Sequence, residues 1–441
     1  MRTRFRFVVV VPLFLVGLLA GRGAATASAQ TQSPPVVAGG ATAQTQGQAS
    51  PGAATQTPPD QQTDVFDVAR RILGKTPPDP ASAPAWDYRK LMLAILPTFG
   101  YKPSTGFTIG ATSNLAKFFG DPKTTTISSA VIGFSVSAKK QTSLTLRFGA
   151  SGKDNRWRLD GDNRFQWTSQ DSYGLGTDTA PADGVNTKFT YVRIYDTAWY
   201  ELRKSVYAGA GFHYSAHLDV RPGVEGDPAW EDSDYVAYST ENGFDLDGQS
   251  STGFSLNLML DTRDSPINAY RGWLASVTYR PFVRSHLGGD SDWQETSFDV
   301  RSYVGVTKDG RQRLAFWVYG DFVASGVAPY FDLPALGMDT YGRSGRGYTE
   351  GRFRGERLMY GELEYRATLT RNGLLGMVAF VNTVTLSNTQ ADEKLFDSFA
   401  SAGGIGLRLK FNKRSRTNLC IDYGWGRQGS KGLYLGLQEA F

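Results

Sequence analysis

The sequence has little of what soluble catalysts are built from. A single cysteine, Cys420, occurs in 441 residues, so neither an intramolecular disulfide nor a cysteine metal cluster can form. Histidine is almost as scarce, with only His213, His217 and His286. His213 and His217 stand four residues apart in a segment that alternates as a strand, which places them on one face but about 13 Å apart, too far for one metal ion. A general base with a positioned nucleophile therefore has few candidates, and the chain is expected to be no enzyme and to carry no metal or cofactor. Basic charge is also thin: the formal +5 falls to about +1 once Arg2, Arg4, Arg6 and Arg22 are set aside with the amino-terminal segment, so no nucleic-acid partner is expected. Long apolar runs are missing as well. From Asp87 onward none reaches the length of a membrane-spanning helix.

The one concentrated apolar run lies at the start. Three arginines in the first six residues precede "FVVVVPLFLVGLLA", from Phe7 to Ala20, and then "ATASAQ". That order predicts a signal peptide over 1–29, cleaved after Ala29, and about fourteen apolar residues are too few to span a bilayer comfortably. Residues 30–63, rich in Gln, Thr, Ala, Pro and Gly, bury too little to offset their ordering entropy and predict a disordered tether. Over 64–86, "DVFDVARRILG" spaces Val65, Val68 and Ile72 as one helix face behind Asp64 as N-cap, and a Pro-rich linker follows.

The remainder, 87–441, alternates apolar and polar residues with a period of two. In "QETSFDVRSYVGV" Phe298, Val300, Val304 and Val306 oppose Glu295, Asp299, Arg301 and Tyr303; in "GIGLRLKF" Ile405, Leu407, Leu409 and Phe411 oppose Arg408 and Lys410. Such alternation means half-buried strands. Charges of both signs and many glycines occupy the polar face, which suits a wall with hydrocarbon outside and water inside. Alternation alone marks strands at 92–102, 105–118, 124–138, 142–152, 156–169, 187–202, 205–220, 250–262, 272–284, 292–306, 312–326, 357–370, 374–387, 398–412, 416–426 and 432–441. That is about 16, an even number, with short and long connections taking turns. The predicted fold is an all-β transmembrane antiparallel barrel in a bacterial outer membrane, closed by a last strand that ends on Phe441.

The glycine- and arginine-rich stretch "GRSGRGYTEGRFRG" (342–355), between the eleventh and twelfth strands, resembles the Arg-Gly-Phe/Tyr loop of the bacterial surface antigen superfamily, the barrels that include BamA. "LDTRDSPINAYRGW" (260–273) is similar to that family's Asp-x-Arg-Asp turn, with Asp261, Arg263, Asp264, Arg271 and Gly272 as its marks. The first hairpin and the terminal strand, with Phe441 as its signal, also resemble the family. The resemblance implies a loop folded into the lumen, in which Arg346, Gly347 and Tyr348 meet acids on the twelfth and thirteenth strands. Glu362 and Glu364 share one face of the twelfth strand, and Glu364 is the expected partner of Arg346. Where the family carries Phe-x-Asp, this chain reads Phe380-Val381-Asn382, so a weaker or differently partnered contact is expected at Asn382.

Alternatives for the loop remain open: an anion-lining constriction, or an external loop that binds lipopolysaccharide phosphates. No periplasmic docking module fits between Gln30 and Asp87, which points to a short branch of the superfamily. The resemblance implies insertion or translocation of proteins, or of lipids, at the outer membrane. Its expected partners are outer-membrane lipid and lipopolysaccharide, with unfolded client proteins or a periplasmic component besides. The competing reading is a passive channel for small polar or anionic solutes.

Overall fold

The computed structural model describes residues 62–74, 90–121, 124–285, 288–307, 309–340, 342–413 and 416–441. The expected signal peptide, nearly all of the tether, the Pro-rich linker and His286 lie outside these. Sixteen antiparallel strands close into one barrel. They are β1 (Met92–Lys102), β2 (Gly106–Lys117), β3 (Ser128–Ser137), β4 (Thr142–Ser151), β5 (Trp157–Ser172), β6 (Val185–Arg203), β7 (Val206–Pro222), β8 (Gly248–Asp261), β9 (Gly272–Phe282), β10 (Trp293–Gly305), β11 (Gln312–Gly326), β12 (Arg357–Thr368), β13 (Leu375–Leu386), β14 (Ala400–Asn412), β15 (Thr417–Gly426) and β16 (Lys431–Leu437). Each pairs with its chain neighbours, and β1 meets β16 to complete the ring.

The alternation dictates the wall. On β14, Ile405 and Leu407 are 56% and 60% exposed while Arg408 and Lys410 are buried. The same sidedness recurs on β8, where Phe254, Leu256 and Leu258 are exposed and Ser255 and Asn257 are buried. A ring of outward Leu, Ile, Val and Phe on strands closed into a barrel is what a hydrocarbon surround requires.

The interior is filled unevenly. Tyr303, Trp317, Leu358, Tyr360, Val384, Leu386 and Ala402, all on β10 to β14, form one core with Leu336, Tyr348 and Phe353 from the loop between β11 and β12. A second core, with Leu175, Tyr235, Tyr238, Trp293, Tyr330 and Phe331, closes the end from which the long loops rise. Part of it is α2 (Asp234–Glu241), N-capped by Ser233 and stacked through Tyr235 on Phe331 at 5.1 Å. Sequence reading misses α2 because eight residues make a helix only when packed against something.

Two boundaries differ from the sequence reading by as much as four residues. β3 starts at Ser128 rather than 124, because the preceding residues bind the neighbouring turn: Thr126 N donates to Asn155 Oδ1 at 2.6 Å and Asp154 N to Thr125 Oγ1 at 3.2 Å. β16 stops at Leu437 rather than continuing to 441. Gln438 takes a positive φ of 77°, and the tail turns inward, so Phe441 is buried among Trp317 and Tyr303 instead of facing lipid.

Before the barrel, α1 (Val65–Ile72) carries a reciprocal capping box between Asp64 and Asp67. Lys413 fixes it to the short-turn end by donating Nζ to Asp67 Oδ2 at 2.8 Å, and Thr63 N donates to Asn372 O at 2.8 Å.

Candidate functional site

The loop 327–356 leaves β11, makes a 3-10 turn at Tyr330–Asp332 and descends into the barrel. Asp339 bends its tip by accepting from the backbone N–H groups of Arg343 at 3.0 Å and Ser344 at 2.8 Å. Arg346 is thereby delivered to the inner wall, where it is only 4% exposed. Its Nη2 contacts both Glu362 and Glu364 on β12, and its Nη1 donates to Asp422 Oδ2 on β15 at 2.7 Å. The guanidinium also lies 3.8 Å from the centre of the Phe380 ring. Burial works against its charge, but Glu362, Glu364 and Asp422 outweigh that and hold the pKa well above the usual arginine value.

Gly347 follows with φ 109°, a left-handed conformation, and a Cβ there would stand 2.7 Å from that of Ala402. Its N–H donates to Tyr434 Oη at 3.0 Å, while Tyr434 donates to Tyr348 O at 2.6 Å. Tyr348 donates its hydroxyl to Ser401 O at 2.6 Å. The facing wall is cut away to admit the loop: a Cβ on Gly424 would come within 2.7 Å of Gly347 N.

Glu364 is the partner of Arg346 expected from the sequence; the structure brings Glu362 to the same guanidinium, and adds Asp422. Asn382 does not reach the guanidinium at all. Its side-chain amide donates to Arg346 O at 2.9 Å, a contact that an aspartate could not make. Three participants escaped sequence reading: Asp422, Arg408 in its pairing role, and Glu439. Arg408 bridges Asp422 and Glu439, with Nε donating to Glu439 Oε2 at 2.7 Å, and Asn418 donates to Glu439 Oε1 at 2.6 Å. Burial pushes the Glu439 carboxyl up, yet Arg408 and Arg366 prevail and hold it far below the usual range. Arg366 in turn donates to Glu364 at 2.6 Å and to the main-chain oxygen of Phe441 at 2.8 Å. The loop arginine and the chain's inward tail thus belong to one charge network. The alternation of Cys420, Asp422 and Gly424 carried the signal for Asp422, but no local pattern announced which wall strand the loop would reach.

The Asp-x-Arg-Asp turn joins β8 to β9 at the opposite end. Arg263 grips Asp261 with two parallel bonds of 2.9 and 2.8 Å. Asp264 accepts from Tyr270 N at 2.8 Å and Arg271 N at 3.3 Å, and it also receives Arg416 Nη1 at 2.7 Å. Arg271 contributes its backbone while its side chain is exposed, and Gly272 sits at φ 103°. Arg416 belongs to the β14–β15 turn, so this segment crosses the barrel mouth and drops Ala269 into the core beside Phe441. His213 and His217 share the inner face of β7, as spacing predicts; His213 Nε2 lies 2.8 Å from Ser255 Oγ, which is 1% exposed.

The other half of the lumen is open. A cavity of about 400 Å³ is lined by Ser, Thr and Gln side chains of β2 to β5, including Thr108, Ser135, Thr145 and Gln166, and on its far side by Arg193, Arg280, Tyr195 and Tyr319. Among the described residues no group of His, Cys, Asp and Glu is arranged to hold a metal ion.

The family model for the Omp85 superfamily domain matches residues 95–441. No curated protein matches the chain in sequence. Among solved structures the barrel is similar to BamA from Haemophilus ducreyi lacking POTRA domains 1–3, with 14% identity and TM-score 0.55 over 79% of this chain and 70% of that one. It is also similar to CdiB from Acinetobacter baumannii (13%, TM-score 0.50, 79% and 66%) and CdiB from Escherichia coli (10%, TM-score 0.50, 81% and 63%). The chain thus spans about two thirds of the length of these neighbours. A closed sixteen-strand wall and a family match over most of the sequence lead to one conclusion: the chain belongs to the Omp85 superfamily and is a bacterial outer-membrane β-barrel.

Proposed function

We propose that this barrel assists the insertion or translocation of polypeptides at the outer membrane by parting its wall between β1 and β16. The observation that carries the reading is the thinness of that seam. Every residue of β1 is paired with β2, from Met92↔Ala116 to Lys102↔Gly106, whereas across the seam, among the described residues, only Tyr101↔Leu435 are in register. An unpaired strand edge is a template for another strand, and separating β1 from β16 would expose two such edges to an unfolded client.

In this reading the Arg346 loop is a latch. It braces β12, β15 and the tail beyond β16 from within, so the seam opens against a rigid frame. The chemistry is conformational, without a covalent step. The similarity to BamA and CdiB supports the class of process, and the client is an unfolded outer-membrane or secreted polypeptide.

The test is a cross-link. In a Cys420→Ala background, Tyr101→Cys with Leu435→Cys should form a disulfide that stops assembly of client barrels in proteoliposomes, and a reductant should restore it. Undiminished assembly by the oxidised protein overturns the reading.

One observation favours a second reading. The hydroxyl-lined cavity beside β2 to β5 suits passage of small polar solutes, and steady conductance in planar bilayers, unaffected by the seam disulfide, would select that reading instead.

A further inference from the structure

α1 plays no part in the latch or the seam, and its sequence is more patterned than a spacer needs. On a 3.6-residue turn, Val65, Phe66, Val68, Ala69, Ile72 and Leu73 fall within an arc of about 160°, with Asp67, Arg70 and Arg71 on the remainder. In an isolated globule such a face would pack on a core. Here the base of that face meets the outside of the barrel: Phe66 packs edge-on against Phe411 at 5.2 Å. Phe411 follows Ile405 and Leu407 along β14, and those two are exposed on the hydrocarbon-facing belt. The far end of the face is bare, with Ile72 79% and Leu73 68% exposed.

The attachment is specific at the amino-terminal end. Lys413 donates Nζ to Asp67 and to Gln62 O at 3.2 Å, and its backbone N–H to Asp64 Oδ2 at 3.2 Å. These contacts set α1 at the rim, level with the short turns 369–374 and 413–416, the end that faces the periplasm in outer-membrane barrels. Leu369 and Leu375, both exposed, continue the apolar belt beside it.

We infer that α1 is an interfacial helix that rests in the periplasmic leaflet of the outer membrane, its occupant being phospholipid. Two observations commit the face to lipid. The apolar face adjoins, through Phe66 and Phe411, the strand that carries the exposed Ile405 and Leu407, and Arg70 and Arg71 lie on the polar side, where they meet phosphate headgroups.

The full chain with Cys420→Ala and Leu73→Cys, labelled with an environment-sensitive fluorophore, tests this in vesicles of phosphatidylethanolamine and phosphatidylglycerol. Expected are blue-shifted emission and quenching by a nitroxide on the lipid chains but not by aqueous iodide. The same label at Arg71→Cys should show the reverse preference. Quenching of the Leu73 label by iodide overturns the inference, and so does protection from both quenchers, which would mean that protein covers the face. As a second readout, Ile72→Asn with Leu73→Asn should leave heat-modifiable mobility of the barrel unchanged and make trypsin cleavage at Arg70 and Arg71 much faster in vesicles. An unchanged cleavage rate counts equally against lipid as the occupant.

Discussion

Arg346 is a charge placed where water cannot reach it, and its worth follows from what its removal leaves behind. Arg346→Ala would leave the buried Glu362 without a cation, and Glu364 and Asp422 with only Arg366 and Arg408. Breaking a buried ion pair from one side costs about 3–5 kcal/mol, so this variant is expected to show a lower folded fraction by heat-modifiable gel mobility and a lower urea midpoint. Arg346→Lys should recover only part of the loss, because an ammonium lacks the planar fork that spans three carboxylates. Gly424 offers a steric counterpart. Gly424→Ala forces a methyl against Gly347 N and should cost about 1–3 kcal/mol as overpacking, whereas Gly361→Ala on β12 meets nothing within 4 Å and should be near neutral in the same assay. At this scale the sequence spoke clearly about type and vaguely about partners. Glu362 and Glu364 are legible because a period of two fixes their face; Asp422 is not, because a loop's landing point depends on tertiary packing that no local pattern encodes.

Among the elements, β16 departs furthest from its sequence pattern. The alternation of "GLYLGLQEAF" breaks at Glu439, and the strand gives way after Leu437 because Glu439 and Phe441 find better company inside: Arg408 and Asn418 for the carboxylate, Trp317 and Tyr303 for the ring. Phe441→Ala should therefore cost about 3–5 kcal/mol, the range for emptying a buried aromatic site, measured as a drop in urea midpoint; an outward, lipid-facing Phe would lose much less. Since Arg408 joins Asp422 to Glu439, a double-mutant cycle of Arg346→Ala with Glu439→Gln should give a coupling energy of about 0.5–3 kcal/mol. Additive effects would mean that latch and tail act separately. The turn between β8 and β9 was recognisable from its residues, but its reach across the barrel mouth to Arg416 was not, since that contact joins positions 152 residues apart.

For the whole molecule, class, strand number and the alternation of long and short connections were all readable in the sequence, because a wall between hydrocarbon and water leaves its period on every strand. What stayed hidden is the unequal filling. Loop, tail and aromatic core bind β10 to β15 into a block, while β2 to β5 turn hydroxyl and amide groups toward the cavity. Amide hydrogen exchange in detergent should report faster opening on β1 to β4 than on β11 to β14, by the logic that local opening follows sparse apolar contact; uniform protection around the ring would contradict this.

Such a hoop does not bend evenly. Like a bracelet stiffened along one side, it concentrates any change of girth in its pliant arc, and the clasp between β1 and β16 lies where the two meet. A passenger pressing at the clasp would therefore meet one jaw that yields and one that holds.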